Sequence, residues 1–536
     1  MALSTLSYSK GIITAPDSTY VSNPKGAGHE FFINMIKHKK KIMQIDGATG
    51  EEETYEVVLQ KCVRTAIHMR QHGVCRGDVI CTCTPNHLNS FVPIIAALFL
   101  GAIVSSLDPL DSESESVHLM EIIDPKLIFV SEDLVGYIES VLKSTGKNSK
   151  LIVFGNTKKH PSFFDFLQPS KEESNFEPVE MNLAEIAFIF FSSGSTDSPK
   201  GICISHRGYL ERIGVALSFH NCYDRILDFC SLYWERASFY RGISILTGTL
   251  IIIPKEFEPL DAWSLINKYQ PTFMFSPPTR LLEFCNEGDK GKNYTYLKTI
   301  EIAGSVLFEH QLLNCQKIFP STKLAYAYGL TEIGIVTYFD WRTEKHSKFM
   351  QTKTSSIGTV INGISYKVVD LDTEEILGPR KSGELRLKTN SQMIGYYKKD
   401  SFDVWDSEGW FRTGDVVYYD EDYYFYFVDR IKKLMKYKDV HVVPKYIEEV
   451  LLTHPNVHAV CVTAKKHEID GDHPIAFVQL KNVNIKHNIE EELLELVQKR
   501  LDDKYQLRGG VKIVLKFPLT PTEKIDVRTL RRIYKL

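Results

Sequence analysis

Between Phe191 and Gly201 the chain reads FSSGSTDSPKG. The run offers small residues, hydroxyls and free backbone N–H groups, and then Pro199, Lys200 and Gly201. Such a set suits an oxyanion cradle. Backbone N–H groups and the hydroxyls of Ser192, Ser193, Ser195 and Thr196, spaced around Gly194, donate to phosphate oxygens, while the Lys200 ammonium balances charge. The ordinary nucleotide P-loop spacing, G-x-x-x-x-G-K-[ST], is absent. Taken alone, the stretch is equally compatible with a linker or a surface turn. Two later segments share its character: Ala303-Gly304-Ser305 and Gly329-Leu330-Thr331-Glu332 each follow an apolar run.

These residues need elements to hold them. Ile186–Phe191 is apolar, β-branched and aromatic, as expected of a buried strand emptying into the small-residue turn. Runs 297–302 and 324–328 read as strands that do the same. Three strands ending in glycine or hydroxyl residues suggest loops converging at one edge of a sheet, where α/β folds place ligands. Upstream, Tyr55–Gln71 carries Val58, Leu59, Cys62, Val63, Ala66 and Met69 at helical spacing, closed by Gly73. Strand patterns at 79–84, 101–105, 127–130 and 151–154 alternate with helical stretches, the signature of a layered α/β domain. Residues 158–181 are polar and read as a loop.

The pattern changes at 357–428, where short strands and frequent glycines predict an antiparallel sheet or small barrel. A basic run, 430–438, follows. Pro444, Glu448 and Glu449 then open a helix with charges suited to its dipole. Strands at 459–464 and 475–480 and an amphipathic helix at 489–501 complete a small terminal unit. The expected fold class is therefore α/β. A large N-terminal domain of layered sheets with a barrel-like part, 1–431, precedes a small mobile α+β domain, 432–536.

Composition sets bounds. A chain of 536 residues is too long for one core, so at least two domains are expected. With 43% hydrophobic and 24% charged residues it reads as an ordinary globular protein, and a net charge of -3 gives no global reason to expect nucleic acid. The basic run 430–438 lacks the aromatic interleaving of a nucleic-acid patch. The 10 cysteines form no CxxC pair, which favours a reduced compartment over metal binding. Residues 1–20 lack a signal-peptide core. The apolar stretch 91–104 is too short to span a bilayer, so no transmembrane segment is expected. Tyr534-Lys535-Leu536 shares only its last two residues with the Ser-Lys-Leu peroxisomal address. The expected location is cytoplasmic or peroxisomal.

Five segments in order resemble the motifs of the adenylate-forming superfamily, which holds beetle luciferases, coumarate–CoA ligases and fatty acyl–CoA ligases. They are FSSGSTDSPKG, YAYGLTEIG from Tyr326, GWFRTGDV from Gly409, VDRIKKLMKYK from Val428 and PTEKIDVRTLRR from Pro521. The resemblance implies a two-step ATP-dependent reaction. A carboxylic acid attacks the α-phosphate of ATP, pyrophosphate leaves, and a thiol, usually that of CoA, then displaces AMP. It implies Mg²⁺ as cofactor, CoA as co-substrate and a small domain that turns between the steps.

By the same resemblance, Ser192 to Thr196 and Lys200 would hold the terminal phosphates. Gly304 and Ser305 would line the adenine and acyl pocket, Tyr328 and Gly329 would flank the adenine, Thr331 would touch phosphate and Glu332 would hold Mg²⁺. Asp415 would accept both ribose hydroxyls, with Arg430 as a second ribose contact. Lys524 would bridge the attacking carboxylate and the α-phosphate, Lys432 would be the hinge, and Lys436, Tyr437 and Lys438 would form the loop of the thioester step. Trp234 would border the acyl pocket, where luciferase and the coumarate ligases have a histidine-containing segment. Asp197, Asp439 and Glu523 stand where the family usually has glycine. The leading expectation is an acid–CoA ligase acting on a hydrophobic, fatty-type acid. The alternatives are a luciferase-like or other adenylating enzyme without CoA transfer, and a non-catalytic nucleotide- or acyl-binding relative.

Overall fold

The computed structural model describes residues 6–192, 199–220, 223–287, 294–305, 307–438, 440–481, 488–520 and 524–536. Among the described residues the strands fall into four sheets. One has seven strands. Four of its strands, Ile103–Ser106, Val79–Cys83, Leu127–Ser131 and Lys150–Phe154, run parallel side by side, while Ile186–Phe191 pairs antiparallel with Gly201–Ser205. A nine-stranded sheet includes the parallel neighbours Phe273–Ser276, Thr299–Ile302 and Lys323–Leu330.

Residues 357–428 supply most of a six-stranded antiparallel sheet, joined by two strands from the N-terminus, Ser7–Ser9 and Ile12–Thr14. The fourth sheet lies wholly beyond Leu434. Met435–Tyr437, Val440–Val442, Val457–His467, Gly471–Leu480 and Gly510–Val514 form it, covered by helices Pro444–Leu452 and Ile489–Arg500.

Periodicity explains the layers. Helix Tyr55–Gln71 starts at Thr54, whose hydroxyl accepts from the Val57 amide at 3.3 Å, and it buries Val58, Cys62, Val63, Ala66 and Met69 along one face. Helix Val92–Phe99 is buried on every side. A helix apolar all round belongs in a core, which is where the apolar stretch 91–104 leads. Each large aliphatic or aromatic side chain buried there contributes about 1.5–3 kcal/mol.

The structure corrects two local expectations. The polar stretch 158–181 is not all loop: Phe163–Leu167 and Glu173–Asn175 are short 3₁₀ turns, and Phe163 and Phe166 anchor the first of them in the core. The three small-residue strand ends also do not share one sheet edge. Thr299–Ile302 and Lys323–Leu330 are neighbours in the nine-stranded sheet, but Ile186–Phe191 belongs to the seven-stranded one. Moreover, the 323–330 strand runs on through Gly329 to Leu330 and turns back into Gly334–Tyr338. A hairpin can carry the YGLTE segment because cross-strand pairing satisfies its backbone groups.

Candidate active site

One buried carboxylate gathers groups from two sheets. Asp415, 1% exposed, lies on strand Phe411–Tyr419. Directly across in register is Arg430, the last residue of strand Phe425–Arg430. The Arg430 Nε donates to Asp415 Oδ1 at 3.2 Å, and the Tyr328 hydroxyl donates to Asp415 Oδ2 at 2.6 Å. Both carboxylate oxygens are thus oriented by a donor. The pairing holds Arg430 above its usual range, chiefly through the Asp415 charge. Burial, reinforced by Asp415, pushes the Tyr328 phenol well up, so it remains a donor.

Tyr328 reaches this position because the strand bulges between it and Gly329. A Cβ on Gly329 would stand 2.5 Å from the Gly334 carbonyl oxygen, so the close return of the hairpin requires glycine there. Thr331 and Glu332 form its tip. The Thr331 carbonyl accepts from Arg212 Nη1 at 3.0 Å, and the Glu332 carbonyl accepts from the Met393 amide at 2.6 Å. The tip is therefore fixed by backbone contacts. Burial raises the Glu332 carboxyl above its ordinary value, against the nearby positive charges of Arg430 and Arg212. A carboxylate whose charge is under-compensated suits a hard cation bringing its own charge, so Glu332 fits Mg²⁺.

Lys524 approaches the same cluster from the C-terminal sheet. Its amide donates to the Thr520 hydroxyl at 3.2 Å, and its carbonyl accepts from the Thr520 amide at 2.7 Å. Its ammonium feels Arg430, Asp415, Lys433 and Glu332. Burial first, and then Arg430, lowers its pKa from 10.5 to about 8. The chain beyond Arg430 thus brings a lysine within electrostatic range of Asp415 and Glu332 from far along the sequence.

The remaining positions divide. At the neck of the first motif, the Ser192 amide donates to the Lys200 carbonyl at 3.1 Å, and the Lys200 amide donates to the Ser192 hydroxyl at 3.0 Å. The Lys200 ammonium lies 4.9 Å from the Tyr396 ring centre. Ser193, Gly194, Ser195, Thr196 and Asp197 lie outside the described residues, as do Asp439 and Glu523. Gly304 and Ser305 are exposed. Gly304 has φ +104°, and the Ser305 carbonyl accepts from Tyr326. Trp234 precedes helix Glu235–Thr247, and the Arg280 guanidinium lies 5.9 Å over its ring.

The 436–438 segment is held by its own sheet and not by the Asp415 cluster. The Lys436 amide donates to Asp472 at 2.9 Å, Arg508 stacks 4.4 Å over the Tyr437 ring, and Lys438 N donates to the Asp470 carbonyl at 2.9 Å. Lys432 sits exposed in the 3₁₀ turn Ile431–Lys433.

Two contacts escaped the sequence reading. Arg212, on helix His206–His220, pairs with Glu235 at 2.6 Å while gripping Thr331 and Ser391 through their carbonyls. Lys445 donates to the Phe427 carbonyl at 2.7 Å, tying the C-terminal unit to the strand that ends at Arg430. Neither residue lies in a motif, and nothing in local spacing marks a long-range cation.

Comparison with known proteins gives the family. The family described as AMP-binding enzyme matches residues 32–397, and the AMP-binding enzyme C-terminal domain matches residues 446–524. A luciferin 4-monooxygenase of Nipponoluciola cruciata is 28% identical over 98% of each chain. The peroxisomal OPC-8:0-CoA ligase 1 of Arabidopsis thaliana is 29% identical over 94% of this chain and 92% of that one. Among solved structures, the luciferase-like enzyme from the nonluminescent mealworm Zophobas morio is 32% identical with a TM-score of 0.74, covering 78% of this chain and 98% of that one.

Proposed function

The chain belongs to the AMP-binding enzyme family of the adenylate-forming superfamily, and from that premise we propose that it is an acid–CoA ligase acting on a hydrophobic, fatty-type carboxylic acid. The observation that carries the reading is Lys524. A lysine from the C-terminal unit lies in electrostatic reach of the Asp415, Arg430 and Glu332 cluster, where the α-phosphate of a bound ATP would belong.

In the first step a carboxylate oxygen of the acid bonds to the α-phosphorus, and the bond to pyrophosphate breaks. Two anions must meet, so positive charge placed in advance lowers the barrier. Lys524 supplies that charge as a point cation between the two. Asp415 holds the ribose, and Tyr328 and Gly329 border the base. Ser192 to Thr196 and Lys200 take the leaving phosphates. Glu332 would hold Mg²⁺, which when bound offsets phosphate charge. In the second step the CoA thiol gives up its proton, its sulfur bonds to the acyl carbon, and AMP leaves. Lys436, Tyr437 and Lys438 serve this step after the C-terminal unit turns about Lys432.

The test is a thioester assay with ATP, CoA and a panel of acids. Acyl-CoA from medium or long acids is the expected result; folded protein giving neither acyl-AMP nor acyl-CoA from any acid refutes the reading. A second reading, adenylation followed by a step other than CoA transfer, draws on the 28% identity to a luciferin 4-monooxygenase. Pyrophosphate exchange without thioester formation would select it.

A further inference from the structure

The hairpin between strands Val457–His467 and Gly471–Leu480 gathers two imidazoles and a carboxylate at its tip. Its turn is Glu468, Ile469 and Asp470, closed by Gly471 at φ +83°. In register, His467 faces Gly471 and Lys465 faces His473, so both histidines stand on one face of the hairpin. Their rings stack at 4.1 Å between centres. Asp470 bends back between them: its Oδ2 is 2.9 Å from His473 Nε2 and 3.5 Å from His467 Nδ1. One ligand atom from each of the three lies within 4.8 Å of the others. Two imidazole nitrogens and one carboxylate oxygen form a donor set for a borderline divalent cation such as Zn²⁺, not for Mg²⁺ or Ca²⁺, which prefer oxygen alone. His467 is 42% exposed in its side chain, which leaves the outer side open to a water ligand.

The tip is also bound to the segment assigned to the thioester step. Tyr437 pairs with Gly471, and a Cβ on Gly471 would lie 2.6 Å from the Lys436 carbonyl oxygen. Lys438 N donates to the Asp470 carbonyl at 2.9 Å, the Lys438 ammonium is 3.9 Å from Asp470 Oδ1, and the Tyr437 ring centre is 6.1 Å from that of His473. Without a metal, the Asp470 carboxylate lies beside the Lys438 ammonium and is hydrogen-bonded to His473 Nε2. A divalent ion on Asp470 would replace that arrangement and repel the Lys438 ammonium. It would also give up the bond from the Asp470 amide to His467 Nδ1, 3.2 Å, if that nitrogen ligates.

We propose that His467, Asp470 and His473 bind a Zn²⁺ ion, and that its binding slows the thioester step while sparing adenylation. The second half rests on the acid–CoA ligase reading; the site itself does not. Titration of the full chain with Zn²⁺, followed by calorimetry and by the visible spectrum of a Co²⁺ replacement, is expected to give one equivalent bound. His473→Ala and Asp470→Asn should each bind at least about tenfold more weakly. No binding by the wild type at about 0.1 mM Zn²⁺, or equal binding by both variants, overturns the site.

With MgATP in excess, Zn²⁺ should slow thioester formation from preformed acyl-adenylate about fivefold or more. Pyrophosphate exchange should be unchanged, and His473→Ala should be insensitive. Equal slowing of both steps, or an unaltered thioester step in metal-bound protein, overturns the coupling. The titration consumes no substrate. Protein that binds Zn²⁺ yet makes neither adenylate nor thioester therefore refutes the ligase reading, and the coupling with it, while the site stands.

Discussion

Removing the Lys524 ammonium should separate the two chemical steps. Burial, and then the Arg430 charge, hold its pKa near 8 in the free protein, so the folded site resists the cation it carries. The sign follows directly. The protonated form exists below about pH 8 and is lost as pH rises through that value. A triphosphate arriving beside it stabilises the protonated form and raises the pKa in the complex. The pH profile of kcat/KM for ATP, which reports the free enzyme, should therefore fall above about pH 8, whereas that of kcat should fall at a higher pH. Lys524→Ala should slow pyrophosphate exchange by about 100- to 1000-fold, or about 3–4 kcal/mol, the range for one charge-stabilising donor aimed at a transition state. Thioester formation from synthetic acyl-adenylate should change by less than about threefold, because no phosphorus is attacked in that step. Lys524→Arg should restore part of the exchange and remove the fall near pH 8, since a guanidinium stays charged. Exchange within about twofold of wild type in Lys524→Ala, or a flat kcat/KM profile from about pH 7 to about pH 9, would refute the assignment.

Asp415→Asn keeps the shape of the side chain but presents an amide to donors on both sides, Tyr328 and Arg430. The KM for ATP should rise at least about tenfold, about 1.4 kcal/mol, with the fold retained by circular dichroism; an unchanged KM would remove Asp415 from the nucleotide site. Gly329→Ala places a methyl 2.5 Å from a backbone oxygen that cannot yield cheaply. It should cost about 1–3 kcal/mol by denaturant titration, and a neutral result would contradict the geometry of the bulge. Trp234→Ala opens space beneath the Arg280 guanidinium. The preferred acid should shift toward bulkier chains in an exchange panel, and an unaltered ranking would place Trp234 outside the acyl pocket.

How much of this was legible beforehand depended on distance along the chain. A 3.6-residue repeat located helix Tyr55–Gln71 and a continuous apolar run located the buried strand Ile186–Phe191 closely, because both patterns are local consequences of burial. The motif YAYGLTEIG identified Tyr328 and Glu332 as candidates, but periodicity stopped its strand at Tyr328. The antiparallel return that carries it on to Leu330 is set by cross-strand pairing with residues the repeat does not see. For the same reason, nothing local could reveal that the small-residue turns come from two different sheets. Arg212 and Lys445 were missed because each acts on carbonyl groups far away in sequence, and a carbonyl leaves no mark in a sequence pattern.

The placement of the two lysines assigned to catalysis argues that one arrangement cannot serve both steps. Lys524 and Lys436 belong to the same small unit: Lys436 lies on a strand of its sheet, and Lys524 lies on the loop closed by the bridge between Leu519 and Ile525. In this structure Lys524 feels Asp415 and Glu332, while the Lys436 backbone is tied to Asp472 and its neighbour Tyr437 is covered by Arg508. Bringing Lys436 to the adenylate by bending its strand would break ladder bonds that the buried Met435 and Tyr437 side chains anchor. Turning the whole unit costs less. Beyond the 431–433 turn, the residues that must let go include Lys445, whose ammonium donates to the Phe427 carbonyl at 2.7 Å and whose amide donates to Asp429 at 3.3 Å. Each such bond has a net worth of about 1–3 kcal/mol, which adenylate and CoA contacts can replace. On the acid–CoA ligase reading, we propose that the change between steps is a rotation about the segment just after Arg430, with Lys445 as one of the catches that holds the first position.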